Sequence, residues 1–441
     1  MKKLFTVFIL SIFIFSAASC SIYREDTENS LYAGWASSDI TPPLAVELAG
    51  ANYTRNSEGV ESTLFVTALA LSNANQTEQH VIASLDLIEV DCAGFINEVR
   101  NYISENKDRA EGLNLQNIVL FATHTHCGPR LAEWETPSGY VMGKAPEGGM
   151  GATEYRKYIT PIVGETIISA WQNRERSYLS SIQTKSGFGW NRISVYEDGS
   201  QVMYGSTSVP GYVGPLSVND QNLNLIYIYN LNKELKGVVM GIGFPFQTCE
   251  SLMQINADIM QPIREKIGGD FHVLPLISAA GDQSPYDLES SWQDKYGGSR
   301  ILMRDTYGRT IARMILKYAE NGEALKAIQQ KTILSSSVTT ANTYYPVELH
   351  ALRLGNTAIV SNPLELYIDW GIKIKTESPA DLTIIGQLSS NTSSQHHGLG
   401  YGPTKKALDG AGYGGNNNIL SLEDINLLVD TSIDLVKGLY P

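Results

Sequence analysis

Two histidines one residue apart, in Thr123-His124-Thr125-His126-Cys127-Gly128-Pro129, carry the ring nitrogens that a zinc site or a proton relay requires. They follow Asn117-Ile118-Val119-Leu120-Phe121, an apolar, β-branched run that reads as a buried strand. Alternate side chains of a strand share a face, so His124 and His126 are expected to converge on one spot, with Gly128-Pro129 ending the strand. A bare His-x-His serves equally well as two hydrogen-bonded residues at a polar strand end. The rest of the chain has to decide.

Four other stretches hold candidates for the same site. Ser278-Ala279-Ala280-Gly281-Asp282-Gln283-Ser284-Pro285 follows the strand-like run His272 to Ile277; small residues there let a ligand approach the backbone, and Ser284 offers a hydroxyl. Asn362-Pro363-Leu364-Glu365 lies between a strand-like run, Thr357 to Ser361, and a helical segment, where a carboxylate is held charged, as a metal ligand must be. His396-His397-Gly398-Leu399-Gly400-Tyr401-Gly402-Pro403-Thr404 is a loop rich in ligand-type side chains. Asn191-Arg192 supplies a cation able to bind a carbonyl oxygen or a developing oxyanion. Singly, Glu365 reads as a cap, Ser284 as a turn residue and Tyr401 as packing.

The elements that must position these residues alternate between two periods. Val81 to Leu87 reads as a strand, and Phe95, Val99 and Ile103 form a helical stripe after it. A helix is expected over 153–174, with Tyr158, Ile162, Ile167 and Trp171 on or near one face. Residues 223–229 read as a strand buried on both faces, followed by strands at Gly237 to Phe244 and His272 to Ile277 around a helix near 257–267. After a helix at 302–319, residues 332–388 are expected to hold three or four strands and one helix near 364–376. Strands and helices intermixed predict an α/β fold, and the consecutive strands at 223 and 237 predict hairpins, hence mixed sheets flanked by helices.

Composition narrows the function. A formal net charge of −13 argues against nucleic-acid binding, and 43% hydrophobic with 18% charged residues is an ordinary globular balance. Lys2-Lys3, the apolar stretch Leu4 to Ala18 and Ala17-Ala18-Ser19-Cys20 resemble a bacterial lipoprotein signal. That predicts export to the cell envelope, with residues 1–20 a signal whose Cys20 becomes the lipidated first residue and membrane anchor, 21–32 a tether, and 33–441 one large catalytic domain. Beyond Cys20 only Cys92, Cys127 and Cys249 remain, too few for a disulfide framework. Oligomeric state is not legible.

Taken in order, the motifs resemble the neutral, non-lysosomal ceramidase family. The match runs from Ala36-Ser37-Ser38-Asp39-Ile40-Thr41-Pro42-Pro43 through Ser84-Leu85-Asp86-Leu87, the Thr123 to Pro129 segment, Asn191-Arg192, Gly281 to Pro285, Asn362 to Glu365 and Tyr401 to Thr404. The resemblance implies a zinc amidohydrolase that splits the N-acyl bond of a ceramide-like lipid. It implies zinc held by His124, Glu365 and Tyr401, with His126 as neighbouring active-site histidine, Ser284 as the catalytically important serine, either nucleophile or hydrogen-bonding support, and Arg192 as substrate-polarising arginine.

There are two departures. The family's second zinc histidine falls at Gln247, in Phe244-Pro245-Phe246-Gln247-Thr248-Cys249-Glu250, and a carboxamide is a poor zinc ligand. Cys249, Glu250, His396 and His397 are candidate replacements, or three ligands suffice with water. The chain also ends near Pro441, without the C-terminal domain of characterised ceramidases. Two alternatives therefore stand: a metal-dependent esterase or deacylase acting on acylated glycans or other acyl amides, and a non-catalytic ligand-binding lipoprotein.

Overall fold

Alternating apolar residues build an eight-stranded sheet, because each strand is covered on both faces. Its strands are β1 (Tyr32–Asp39), β2 (Phe65–Ser72), β3 (Gln79–Leu85), β4 (Ile118–Ala122), β5 (Glu175–Lys185), β6 (Asn222–Asn230), β7 (Leu235–Ile242) and β8 (His272–Ile277). The spatial order is β8-β7-β6-β5-β1-β2-β3-β4. The centre is antiparallel, while the pairs at the two edges, β3 with β4 and β7 with β8, are parallel. A smaller sheet runs β9 (Leu334–Asn342), β10 (Pro346–Leu354), β11 (Thr357–Ser361) and β12 (Leu382–Gly386), with β11 and β12 parallel. The mixed α/β architecture is the one that the sequence predicts. This computed structural model describes residues 30–136, 139–329, 332–392, 398–410 and 419–441. Cys20 with the signal segment, and His396 and His397, lie outside the described residues.

The two sheets pack face to face, and helices cover both outer faces. In β6, Leu223, Leu225, Tyr227 and Tyr229 join the core beneath the helices, whereas Ile226 and Ile228 point between the sheets with Leu276, Leu352, Ile359 and Ile384. The helices over the large sheet are α1 (Phe95–Glu105), α2 (Ala152–Gln172), α3 (Met260–Ile267) and α4 (Arg300–Glu320). In α1 the expected stripe of Phe95, Val99 and Ile103 is buried. In α2 the buried stripe is Tyr155, Ile159, Val163 and Ile167, which leaves Tyr158 exposed. The small sheet is covered by α5 (Ile368–Glu377) and α6 (Leu422–Gly438), whose Ile374, Ile425, Leu428 and Ile433 meet Val347, Leu349 and Val360.

Each parallel pair needs a crossover, and each crossover here carries a helix: α1 between β3 and β4, α3 between β7 and β8, α5 between β11 and β12. The chain leaving the C-terminal ends of these strands carries most of the candidate chemistry. In sheets of this kind, that is where ligands bind.

Candidate active site

His124 is not on the strand that precedes it. Strand β4 ends at Ala122, and His124 sits two residues later in the left-handed region, with φ 63°. Its N–H donates to Leu87 O at 2.9 Å, so the turn is pinned to the segment leaving β3. The two imidazoles still converge, 5.0 Å apart and inclined at 69°, but the turn brings them together rather than strand alternation. Holding a non-glycine residue at positive φ costs free energy, and such positions cluster at functional sites.

His124 is oriented for ligation. Its Nδ1 lies 2.8 Å from Ile88 O, so the proton belongs there and the Nε2 lone pair is left to face Glu365 Oε2, 3.5 Å away. His126 is placed by its backbone carbonyl, which accepts from Arg55 Nη2 at 2.5 Å, and by Gly50, whose φ of 87° and lack of Cβ let the imidazole lie against the backbone. Its Nδ1 is 3.7 Å from Glu250 Oε2, and its buried Nε2 has no hydrogen-bond partner among the described residues. Burial first, then His124 and the cations Arg55, Arg192 and Arg130, hold its pKa well below the ordinary value, so the ring is neutral.

Glu365 is not in a helix terminus either. It opens a two-residue bridge, Glu365–Leu366, that pairs in parallel with Tyr401–Gly402, while α5 begins only at Ile368. Glu365 and Tyr401 are register partners, which explains how residues so distant in sequence share a site. Gly281 must be glycine, because a Cβ there would stand 2.1 Å from Glu365 O. Its carbonyl accepts from Arg192 Nη2 at 2.7 Å, and the same nitrogen donates to Tyr401 Oη at 3.1 Å. Asp282 fastens this corner, accepting from Asn191 Nδ2 at 2.7 Å and from Ile368 N, the first residue of α5, at 2.9 Å. Burial pushes its carboxyl up to about 6 in spite of those bonds.

A cavity of about 490 Å³ opens at this point, lined by His124, His126, Arg192, Gln247, Glu365 and Tyr401 together with Ile88, Glu89, Asp91, Arg130, Trp134, Pro363 and Leu388. Of the candidate residues, Ser284 stands apart. It is fully buried behind the wall, its Oγ accepting Tyr286 N–H at 3.1 Å and lying 3.3 Å from Tyr204 Oη. Cys249 and Glu250 do not line the cavity. Burial pushes the Cys249 thiol up, and Glu250 instead faces His126 and Arg300.

Sequence reasoning missed Tyr204, Gln387, Glu89 and Asp91. Gln387 Oε1 accepts from both Ala280 N and Leu366 N at 3.0 Å, fastening the Gly281 turn to the Glu365 bridge. Glu89 and Asp91 hold the N–H groups of Gly398 and Leu399 at 3.0 and 2.8 Å, just before Tyr401. Burial and the neighbouring Glu89 raise Asp91 to about 8. An acidic Glu-x-Asp after a buried strand was the one available signal for that pair.

The donor set fits zinc in kind. Ligands roughly 2.0–2.1 Å from a tetrahedral zinc stand about 3.4 Å apart, close to the 3.5 Å between His124 Nε2 and Glu365 Oε2. Among the described residues no three His, Cys, Asp or Glu side chains form a metal cluster by themselves, and the Tyr401 phenol lines the same cavity as His124 and Glu365.

The chain has the fold of the neutral ceramidases, a mixed α/β architecture. The neutral ceramidase from Pseudomonas aeruginosa superposes with a TM-score of 0.70 at 14% identity, over 93% of this chain and 74% of that one. A ceramidase complexed with C2 gives a TM-score of 0.70 at 13% identity, over 93% and 75%. No protein-family model and no curated protein matches the sequence.

Proposed function

We propose that this protein is a zinc-dependent hydrolase that cleaves the N-acyl bond of a ceramide-like amide. One observation carries the reading: a histidine, a carboxylate and a phenol from distant parts of the chain converge on one cavity, with a buried arginine against the phenol. His124, Glu365 and Tyr401 would hold the metal. Zinc bound there would supply Lewis acidity and bring the pKa of water near neutrality.

The remaining residues have separable tasks. Arg192, anchored on the Gly281 carbonyl, donates to the scissile carbonyl oxygen beside Tyr401, and being already fixed it reorganises little as charge develops. Neutral His126, whose buried Nε2 has no partner among the described residues, takes a proton and passes it to the leaving amine. Ser284 supports the wall: it is buried, off the cavity, and hydrogen-bonded to Tyr286 rather than to a histidine. The polar residues Glu89, Asp91 and Arg130 in the lining are the reason to test polar acyl compounds beside lipids.

The test is metal analysis of the purified protein combined with hydrolysis of N-acyl sphingosines, N-acyl amino acids and acylated sugars, with and without a chelator. Release of fatty acid from an acyl amide, abolished by chelation and restored by zinc, is expected. Absence of both metal and turnover across the panel would sink the reading in favour of a non-catalytic binder.

A further inference from the structure

Gln247 stands where the resemblance expects an imidazole, and its surroundings give it a different task. It is 1% exposed and lines the cavity. Its Nε2 donates to Tyr204 Oη at 2.8 Å. Tyr204 Oη also meets Arg192 Nη1 at 3.3 Å, another donor, so both phenolic lone pairs are engaged. The phenolic proton is therefore directed to Ser284 Oγ, 3.3 Å away. Tyr204 is itself fixed by an unusual backbone, with φ 55° and its N–H on Arg192 O at 2.7 Å. This chain of bonds decides which end of the carboxamide is spoken for. The nitrogen is engaged, and Oε1, buried, has no hydrogen-bond partner among the described residues.

A buried acceptor without a donor is costly, and native structures rarely leave one without a reason. We infer that Gln247 Oε1 receives the N–H of a secondary amide in the substrate, so that the site selects N-acyl amides and discriminates against esters and N-alkylated amides. This rests on the hydrolase reading above. A secondary amide presents an acceptor oxygen and a donor N–H on opposite sides of one plane, and a complementary cavity needs one donor and one acceptor. Arg192 provides for the oxygen. Among the described residues His126 Nε2 and Asp91 Oδ1 are the other unpartnered acceptors in the lining, but both belong to groups that can carry a proton. A carboxamide does not titrate; it can only recognise. An ester would leave Oε1 buried and empty, and sites built around such a bond reject analogues that lack the donor far more strongly than apolar pockets reject a missing methylene. Tyr204, which sets the carboxamide's orientation through its hydroxyl, acts as a positioning residue.

The experiment uses the zinc-loaded full chain and three chromogenic probes: hexanoyl-p-nitroanilide, its N-methyl counterpart and p-nitrophenyl hexanoate. Gln247→Leu is expected to lower kcat/KM on the anilide by about 10- to 100-fold, with less than about threefold change on the ester and the N-methyl anilide. Tyr204→Phe should shift the amide-to-ester ratio in the same direction by a smaller factor. It also serves as the second variant should Gln247→Leu fold poorly. Equal losses on all three probes with zinc retained would overturn the inference, because Gln247 would then be merely structural. Loss of zinc in Gln247→Leu would overturn it too, by making Gln247 a metal ligand. A wild type that cleaves none of the probes would remove the hydrolase reading and the inference with it. That result differs from active wild-type enzyme whose ratio ignores Gln247.

Discussion

The molecule contains two clusters of the same residue types, and they behave oppositely. In the first, Arg100, Glu348, His350 and His80 meet between α1, β3 and β10. Glu348 takes Arg100 through both oxygens at 2.5 and 3.1 Å and His350 Nε2 at 2.7 Å, and His80 lies edge-on to His350 at 5.2 Å. In the second, Arg192, Glu365, His124 and His126 surround the cavity. There His124 stands 3.5 Å and Arg192 3.9 Å from Glu365, both too long for hydrogen bonds, with the histidines edge-on at 5.0 Å. The first cluster satisfies its carboxylate from within, although Arg100 Nε, His80 Nδ1 and His350 Nδ1 have no partner among the described residues. The second leaves its carboxylate unfilled, and His124, His126, Arg192 and Glu365 line an opening together with Gln247. Identical composition thus gives a rivet in one place and a receptive site in the other, according to whether the carboxylate has been satisfied from within.

The largest expected effect separates the clusters. His124→Ala and Glu365→Gln should each abolish stoichiometric zinc binding and lower hydrolysis by at least about a thousandfold, while the melting temperature of the metal-free protein changes little. Glu348→Gln should do the reverse. Breaking a buried pair from one side costs about 3–5 kcal/mol, so denaturation should shift markedly while zinc binding is kept. Zinc loss in Glu348→Gln without destabilisation would erase the distinction.

A smaller effect reads the closed cluster by pH. Burial alone would raise the Glu348 carboxyl, but the bonds from His350 and Arg100 outweigh it and hold the pKa at about 2. A depressed carboxylate pKa stabilises the fold above the unfolded value and loses that contribution as pH falls toward the folded one. Stability should therefore decline from near pH 4.5 toward pH 2, and Glu348→Gln should flatten that part of the curve. An unchanged slope in urea titrations would mean that Glu348 is not held as described.

The smallest effect concerns the wall of the open cluster. Ser284→Ala should reduce kcat by about tenfold or less, because it removes the hydroxyl that receives Tyr204 rather than an attacking group. A loss on the order of 10⁴ or more, of the size that follows removal of a true nucleophile, would return Ser284 to that role.

The sequence by itself determined many of the strands and helices and several of the residues able to do chemistry. Apolar periodicity over a few residues is a local signal, and it marked α1, α2, β6 and β8 within a residue or two. It also marked Thr123 to Pro129, Gly281 to Pro285 and Glu365, because glycine, proline and ligand-type side chains were packed into short segments. Tertiary structure decided the rest. His-x-His reads as strand, yet His124 is held in a left-handed turn by Leu87 O, from a segment that local pattern cannot see. Glu365 meets Tyr401 only through the register of a two-residue bridge. Tyr204 reaches Gln247 only because the hairpin that pairs Ile193 to Val195 with Gln201 to Met203 delivers it there. Nothing in the residue types distinguishes Glu348 and His350 from Glu365 and His124. That difference arises where parallel strands end together at a cavity, since there the chain turns away and leaves polar groups facing space, whereas within the packed sheets the same groups must find each other.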